Sequence, residues 1–241
     1  RPDDFWSDRD FFAPEVYHYG NSYYMFASFR GGNITRASQI LKSDSPMGPF
    51  LPFTDGPMTP VDWTCLDATF YLDEEGNPWT AFCHEWTPAG DGTIEIMPLS
   101  ADLTTPVGKP ETILRASGAA WSYSLVDPTS RNYVTDGTFL RKGKNGQLYM
   151  LWSGFHAGPQ YWYVQALAIS DSGSIHGPWR HADNFIYDQD GGHGMLFTDT
   201  DGQMYLSFHS PNNAVGDRLE KPVFIPLTEQ NGTLTWSIFA K

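Results

Sequence analysis

The sequence is poor in cysteine, in basic residues and in long apolar runs, and each shortage excludes a class of protein. Two cysteines among 241 residues are too few to define a disulfide scaffold or a zinc site. No stretch approaches the roughly 18 apolar residues that a transmembrane helix needs. Fifteen Lys and Arg against 28 Asp and Glu give a net charge of −13, which argues against nucleic acid and membrane as partners.

The two cysteines leave two alternatives. Cys65 and Cys83 lie roughly symmetrically about a turn near Glu74, and opposed positions in an antiparallel pair come close enough to form a disulfide. Two buried free thiols are the other possibility, and we favour them.

Sustained helical periodicity is also missing, so we expect helices to be nearly absent. The 23 glycines and 18 prolines indicate many turns instead. Aromatic residues make up 15% of the chain, which exceeds what a core of this size usually needs. Such a surplus is typical of sugar-binding proteins, although packing within sheets accounts for roughly half of it or more.

What the sequence does contain is an internal repeat. Four positions are each followed ten residues later by an aromatic residue, and a turn lies between the two. These aromatic residues are Tyr24, Trp79, Tyr149 and Tyr205. They are 55, 70 and 56 residues apart, which is enough for four strands in each copy. The repeat predicts an all-β propeller, whereas the alternative, a β-sandwich, would not repeat so clearly.

We therefore expect residues 1–241 to form one propeller domain with four visible blades of four antiparallel strands. The predicted blades cover residues 11–60, 61–118, 131–184 and 188–241. The first strand of a blade starts at the channel mouth where the second strand ends, because the two run antiparallel. The residues predicted to meet there are Glu15, Asp67, His84, Glu85, Trp86, Asp136, His156, His193 and His209. Carboxylates and imidazoles at one mouth are typical of general acid–base chemistry.

The sequence resembles glycoside hydrolase family 43. The matching segments follow the family order through nearly the whole chain: FAPEV (12–16), LDATF (66–70), CHEW (83–86), VTDGTF (134–139), GHGM (192–195) and LSFHSPN (206–212). The resemblance implies a five-bladed propeller that hydrolyses arabinose- or xylose-containing plant polysaccharides or oligosaccharides. The activity implied is that of an α-L-arabinofuranosidase or a β-xylosidase.

The resemblance also implies roles for individual residues. In an inverting mechanism one carboxylic acid protonates the leaving oxygen while an opposed carboxylate activates water. Asp67 matches the family's aspartate that orients the acid, and Asp136 stands where the family usually has its general-acid glutamate. Asp136 is one methylene shorter than glutamate, so Glu85 is an alternative acid. The candidate substrate-binding residues are Glu15, His84, Trp86, Trp121, His156 and His209.

One cofactor is implied. His193 matches the channel histidine that in many family members lies beside a bound calcium ion or its waters. Because calcium prefers oxygen ligands, His193 would act through water or as a single ligand. Three further tryptophans lie near the predicted mouth and could each support a sugar; they are Trp6, Trp63 and Trp162.

One feature of the family has no match. Its general base is an aspartate in the first of five blades, and only four copies of the repeat are present. The missing copy would lie before Arg1, and Asp8 or Asp10 is a candidate substitute for its aspartate. Two alternatives therefore stay open. They are a carbohydrate-binding propeller impaired in catalysis, and a truncated domain that associates with a second copy through its exposed blade edge.

Overall fold

Nearly all of the regular structure is β-strand. The computed structural model describes residues 5–126, 131–157, 162–216 and 219–236, and these contain four sheets of four strands arranged as propeller blades. The helical segments in this part are one helical turn, α1 (Trp86–Ala89), and one 3-10 turn (Ala116–Gly118). The all-β propeller prediction is confirmed, and so is the near absence of helix.

In every blade four consecutive strands pair antiparallel, each with the next along the chain. Blade 1 contains β1 (Arg9–Tyr19), β2 (Ser22–Gly31), β3 (Ile34–Ser43) and β4 (Leu51–Pro52). Blade 2 contains β5 (Cys65–Leu72), β6 (Pro78–His84), β7 (Thr93–Pro98) and β8 (Glu111–Arg115). Blade 3 contains β9 (Asp136–Lys142), β10 (Leu148–His156), β11 (Trp162–Ser170) and β12 (Trp179–His181). Blade 4 contains β13 (Gly192–Thr198), β14 (Met204–Ser210), β15 (Lys221–Gln230) and β16 (Thr233–Trp236).

Turn chemistry explains why the strands reverse where they do. Tyr19 pairs with Ser22 across the first hairpin, so only Gly20 and Asn21 connect β1 to β2. Gly20 has φ +60°, a conformation that glycine adopts without the steric penalty of a Cβ atom. Two-residue turns of this kind hold both strands in register.

The core lies between neighbouring blades rather than inside any one of them. Buried apolar side chains of the described residues form three clusters. Phe26 of blade 1 packs with Phe70 of blade 2, Ile94 of blade 2 with Trp152 of blade 3, and blade 3 with blade 4 around Leu206. Each sheet is therefore stabilised mainly by apolar area that it buries against its neighbours.

Blades 1 and 4 do not close the ring. Among the residues that the structure describes, no strand of blade 1 packs closely against a strand of blade 4. Phe12 and Val16 of β1 and Phe197 and Phe224 of blade 4 are exposed, although such residues are usually buried between blades. The four blades therefore form an arc with an open apolar side, which we call the open face.

The cysteines are free and buried, as we favoured, but they are not opposed. Cys65 pairs with His84 and Leu66 with Cys83, so the two cysteines are offset by one residue. Neighbouring positions point to opposite faces of a sheet. Cys65 accordingly packs between blades 1 and 2, and Cys83 between blades 2 and 3. In the described residues, no helix is long and apolar enough to cross a membrane.

Candidate active site

A β-bulge interrupts the innermost strand of every blade near the same mouth. At each bulge one residue adopts a left-handed conformation with φ between 47° and 57°. These four residues are Ala13, Asp67, Gly137 and His193. A bulge changes the direction in which a side chain points, and bulges are common next to active sites. Asp67 and His193, two of the predicted functional residues, therefore lie at the left-handed position of a bulge.

A cavity of about 960 Å³ opens at this mouth. Its walls include all four residues predicted at the starts of the first strands, together with three predicted at the ends of the second strands. The predicted residues that line it are Glu15, Asp67, Glu85, Trp86, Asp136, His193 and His209. Residues from all four blades thus meet at one site, as the topology predicts.

Three of the six candidate substrate-binding residues do not line this cavity. Trp121 stacks on the buried Trp152 with ring centroids 4.8 Å apart, so it belongs to the core between blades. His156 packs against Phe185, while its neighbour Phe155 faces the cavity. His84 lines a second cavity described below. Strand alternation explains the last two cases, because a shift of one residue reverses the face to which a side chain points.

Asp67 and Asp136 form a hydrogen-bonded carboxyl pair beside His193. The His193 ring nitrogens lie 3.8 Å from Asp67 Oδ1 and 3.7 Å from Asp136 Oδ1. The backbone N–H of Gly137 donates to Asp67 (2.9 Å), and the Tyr163 hydroxyl donates to Asp136 (2.6 Å). The Asp67 side chain is 3% exposed and that of Asp136 is 27% exposed. Asp136 is therefore the member of the pair that a ligand can reach.

The two carboxyl groups differ in their proton affinity. Burial, and then the negative charge of Asp136, raise the pKa of Asp67 well above its ordinary value. Burial also opposes ionisation of Asp136, but the hydrogen bond from Asp67 and the nearby His193 outweigh it, so the pKa of Asp136 is lowered. Burial lowers the pKa of His193, which favours its neutral form. Of the two carboxyl groups, Asp67 therefore has the higher affinity for a proton.

The same three residues offer ligand atoms for a cation. One atom from each of Asp67, Asp136 and His193 lies within 4.8 Å of the others. Asp67 Oδ1 is buried and has no hydrogen-bond partner among the described residues, which is costly unless a ligand or water occupies the space beside it. Two carboxylate oxygens and one imidazole nitrogen fit a divalent cation, with water to complete the oxygen-rich coordination shell that calcium prefers.

Glu15 joins blades 1 and 2 at the edge of the cavity. The hydroxyls of Tyr17 and Thr69 both donate to its Oε2, at 2.5 Å and 2.7 Å. Burial raises the pKa of Glu15 to about 7, and the two hydrogen bonds only partly oppose this rise. Glu15 is therefore a carboxyl group at the cavity whose protonation changes near neutral pH.

Glu85 forms an ion pair with Arg36, a residue that the sequence analysis did not identify. Arg36 on β3 donates to Glu85 at 2.7 Å and contacts Asp10 at 3.4 Å. Burial still raises the pKa of Glu85, because the loss of solvation outweighs the charge of Arg36. Asp10 lies on the far side of Arg36 and does not line the cavity, and Asp8 pairs with Arg9 at the surface. Neither aspartate proposed as a substitute base reaches the mouth.

Arg36 and Tyr163 are the functional residues that sequence reasoning missed. Each lies within a strand, and its partner is 49 or 27 positions away in the sequence. No local pattern indicates such a pairing. The predicted tryptophans Trp6 and Trp162 also lie outside the cavity lining, and Trp6 instead donates to Gln39 in blade 1.

The sequence matches the family described as Glycosyl hydrolases family 43 over residues 1–232. The chain belongs to glycoside hydrolase family 43. It is therefore a glycosidase, and its fold and its cavity agree with that assignment. A comparison with curated protein sequences found no significant match.

Solved structures of other family 43 proteins have the same fold. An endo-arabinase from Bacteroides thetaiotaomicron VPI-5482 is 40% identical, with a TM-score of 0.90 over 96% of this chain and 80% of that chain. An endo-1,4-beta-xylanase from the same organism is 23% identical, with a TM-score of 0.77 over 97% of this chain and 77% of that chain. A xylan beta-1,4-xylosidase from Bacillus halodurans C-125 is 16% identical, with a TM-score of 0.69 over 97% of this chain and 44% of that chain. At 23% and 16% identity, the last two structures show similarity of fold only.

Proposed function

We propose that this family 43 glycosidase hydrolyses arabinose- or xylose-containing plant polysaccharides or oligosaccharides with inversion, using Asp136 as its general acid. The observation that carries the proposal is the carboxyl pair at the mouth, in which Asp136 faces the cavity and Asp67 lies behind it. Of the two sugars, arabinose is favoured because the 40% identical relative is an endo-arabinase.

We assign different roles to the two aspartates of the pair. Asp136 gives a proton to the glycosidic oxygen as the bond from the anomeric carbon to that oxygen breaks. Asp67, which has the higher proton affinity of the two, positions Asp136 and supplies this proton to it. Tyr163 fixes the Asp136 carboxylate through its hydrogen bond of 2.6 Å. Water adds to the anomeric carbon as that bond breaks, and its proton passes to a further carboxylate at the cavity, for which Glu15 and Glu85 are the candidates.

Glu85 is the alternative acid. It lines the same cavity, and burial raises its pKa, which favours the protonated form that a general acid requires. Its ion pair with Arg36 counts against this role, because a guanidinium at 2.7 Å favours the ionised carboxylate.

We also propose that the channel takes a calcium ion, held by His193 with Asp67 and water. The fit of the three ligand atoms supports this. When bound, the ion would supply a fixed positive charge that makes a neighbouring carboxylic acid a stronger proton donor. His193 itself, neutral and held at the bulge, would keep a ring nitrogen directed at this position.

The general acid can be identified because the loss of activity on its substitution depends on whether the leaving group needs a proton. We expect Asp136→Asn to lower kcat/KM roughly 10²- to 10⁴-fold on arabino-oligosaccharides, whose leaving groups need protonation. The loss on a dinitrophenyl α-L-arabinofuranoside should be far smaller, because that leaving group departs without a proton. Glu85→Gln is the matched comparison and should not show this dependence.

Three outcomes would contradict the assignment. If Asp136→Asn hydrolyses oligosaccharides as fast as the wild type, Asp136 is not the acid. If the dependence on the leaving group follows Glu85→Gln instead, Glu85 is the acid. If the wild type hydrolyses neither arabinosides nor xylosides, the proposed substrate class is wrong.

A further inference from the structure

Blade 2 carries a second cavity, of about 400 Å³, on the same side of the molecule as the central one. It lies where β6 ends, β7 begins and β8 ends, which is the mouth end of each of these strands. His84 lines the second cavity, whereas Glu85 and Trp86 line the central one. Because His84 and Glu85 are adjacent in the chain and line different cavities, we expect one extended ligand to contact both.

We propose that this second cavity binds a further sugar residue of the substrate. The inference rests on the proposed function, because a polysaccharide or oligosaccharide is a substrate with further sugar residues to bind. A cavity of this volume suits one or two sugar rings. Its lining also has the three kinds of group that a sugar requires, which are hydroxyl acceptors, hydroxyl donors and a flat apolar wall.

Two buried carboxylates provide the acceptors. Glu95 is 2% exposed and accepts hydrogen bonds from the hydroxyls of Thr93 (2.6 Å) and Thr112 (3.0 Å). It has no basic partner in the part of the chain that the structure describes. Two carboxylate oxygens offer about four lone-pair positions, so Glu95 keeps acceptor capacity for a ligand hydroxyl. Asp91 is bound by Ser117 and by Arg131 at 3.3 Å.

Arg115 provides free donors at the rim. It is exposed, and the described residues give its guanidinium no hydrogen bond or ion pair. Arg115 is paired with Thr93 across β7 and β8, which places it beside the carboxylates. A guanidinium presents five N–H donors in a fixed plane and can bond two neighbouring hydroxyls of one sugar.

Trp63 and His84 form the wall. Their rings stack with centroids 4.2 Å apart and an interplanar angle of 15°. Burial lowers the pKa of His84, so its imidazole is neutral and offers one donor and one acceptor. An indole next to hydrogen-bonding groups suits a pyranose or furanose ring, which has both apolar C–H groups and hydroxyls.

The charges of the lining favour a neutral ligand over an ion. Two carboxylates, Asp91 and Glu95, are balanced by two guanidinium groups, Arg115 and Arg131. An anion would meet the buried carboxylates, and a cation would meet the arginines at the rim. The group of metal-ligating side chains found among the described residues is the central one, not this one. A neutral polyhydroxylated ligand is therefore the class that fits best.

The test compares long and short substrates in the full chain. Arg115→Ala and Glu95→Gln remove groups from the second cavity, and Lys109→Ala is a control that removes an exposed positive charge elsewhere on blade 2. We expect the first two to raise KM for arabino-oligosaccharides roughly tenfold or more, as the loss of a hydrogen bond to a charged group predicts. Kinetics on an aryl α-L-arabinofuranoside should stay within about twofold of the wild type, because that substrate occupies only the central cavity.

Binding without turnover separates this inference from the proposed function. Isothermal titration of arabino-oligosaccharides into Asp136→Asn, alone and combined with Arg115→Ala or Glu95→Gln, measures affinity directly. Affinity that falls in both combined variants supports the second cavity even if no arabinoside is hydrolysed, in which case only the proposed function fails. The inference would be overturned if Arg115→Ala and Glu95→Gln had the same oligosaccharide affinity and KM as Lys109→Ala, even if the enzyme is active. Unchanged thermal unfolding of each variant excludes misfolding as the cause of a loss.

Discussion

Three carboxylic acids at the central cavity differ in proton affinity because their neighbours differ. Asp67 is surrounded by protein and faces an ionised neighbour, so its pKa rises. Asp136 receives hydrogen bonds from Asp67 and Tyr163, so its pKa falls. Glu15 lies between these cases, with a pKa of about 7 set mainly by burial. Charge–charge contacts alone would not give the three groups different pKa values. Burial is the largest cause of the raised pKa values of Asp67 and Glu15.

Glu15 makes the stability of the fold depend on pH. Its pKa rises from 4.5 to about 7 on folding, so the folded chain keeps a proton that the unfolded chain loses between these values. Its contribution is therefore complete below about pH 4.5 and declines as the pH rises towards 7, by up to ~3 kcal/mol. Glu15→Gln keeps an oxygen for Tyr17 and Thr69 but cannot ionise. We expect it to be more stable than the wild type at pH 8 and similar to it at pH 4.5.

Urea denaturation at several pH values measures this difference directly. Glu75→Gln, at an exposed position in a turn, is the control and should leave the pH profile of stability unchanged. Parallel profiles for the wild type and Glu15→Gln would mean that Glu15 ionises normally in the folded protein.

At the scale of single residues, the sequence predicted the centre of the site better than its edges. Asp67, Asp136 and His193 were found because equivalent positions in a repeat converge at one mouth. His84 and His156 were misplaced because they lie at strand ends, where one residue decides which face a side chain joins. Arg36 could not be predicted, since its role depends on a contact with Glu85, which lies in another blade.

The bulge is the element that positions a functional residue in blades 2 and 4. Left-handed backbone costs a residue with a side chain roughly 1–2 kcal/mol, yet Asp67 and His193 both adopt it. Blade 3 has Gly137 at the same position, where the carboxyl group of Asp136 instead reaches the cavity from the preceding residue. Sequence patterns predicted the strands around the bulges but not the bulges themselves, because an extra residue leaves the alternation on either side intact.

Gly137 is required at its bulge for two reasons that can be separated experimentally. It has φ +57°, and a Cβ atom there would lie 2.7 Å from the Cα atom of His193. Gly20 has nearly the same φ, +60°, but a Cβ atom there would have no neighbour within 4 Å. We expect Gly137→Ala to lower the free energy of unfolding by about 1–3 kcal/mol more than Gly20→Ala, because only Gly137→Ala crowds another strand.

Chemical denaturation of both variants tests this expectation. The activity of Gly137→Ala should also fall, since the added methyl group pushes on the backbone that holds His193. Equal losses of stability would show that left-handed strain alone explains the need for glycine at residue 137.

At the scale of the whole molecule, three blade interfaces are well packed, and the described residues of blades 1 and 4 form no fourth one. Counting the repeat predicted four blades, but the sequence could not predict whether they close into a ring. Closure depends on the angle between neighbouring blades, which is set by packing across each interface rather than by any local pattern. The result is an open face whose exposed aromatic residues include Phe12 and Phe224.

We expect two copies of the chain to associate through this open face. Phe224 is 59% exposed and lies on the face of blade 4 that no other blade covers, so Phe224→Ser should weaken association. Met47 is 90% exposed on a loop of blade 1, and Met47→Ser should leave association unchanged. Sedimentation velocity over a range of concentrations distinguishes the two. A wild type that stays monomeric throughout would contradict the expectation.

The order of strands within each sheet has a consequence for how the protein is made. Every blade is completed by a continuous stretch of the chain, without borrowing a strand from elsewhere. A ribosome therefore delivers one entire sheet before it begins the next, and each new sheet finds the preceding one already available as a surface to pack against. Synthesis and folding can proceed in the same direction, which limits the time during which unpaired strand edges are exposed to other nascent chains.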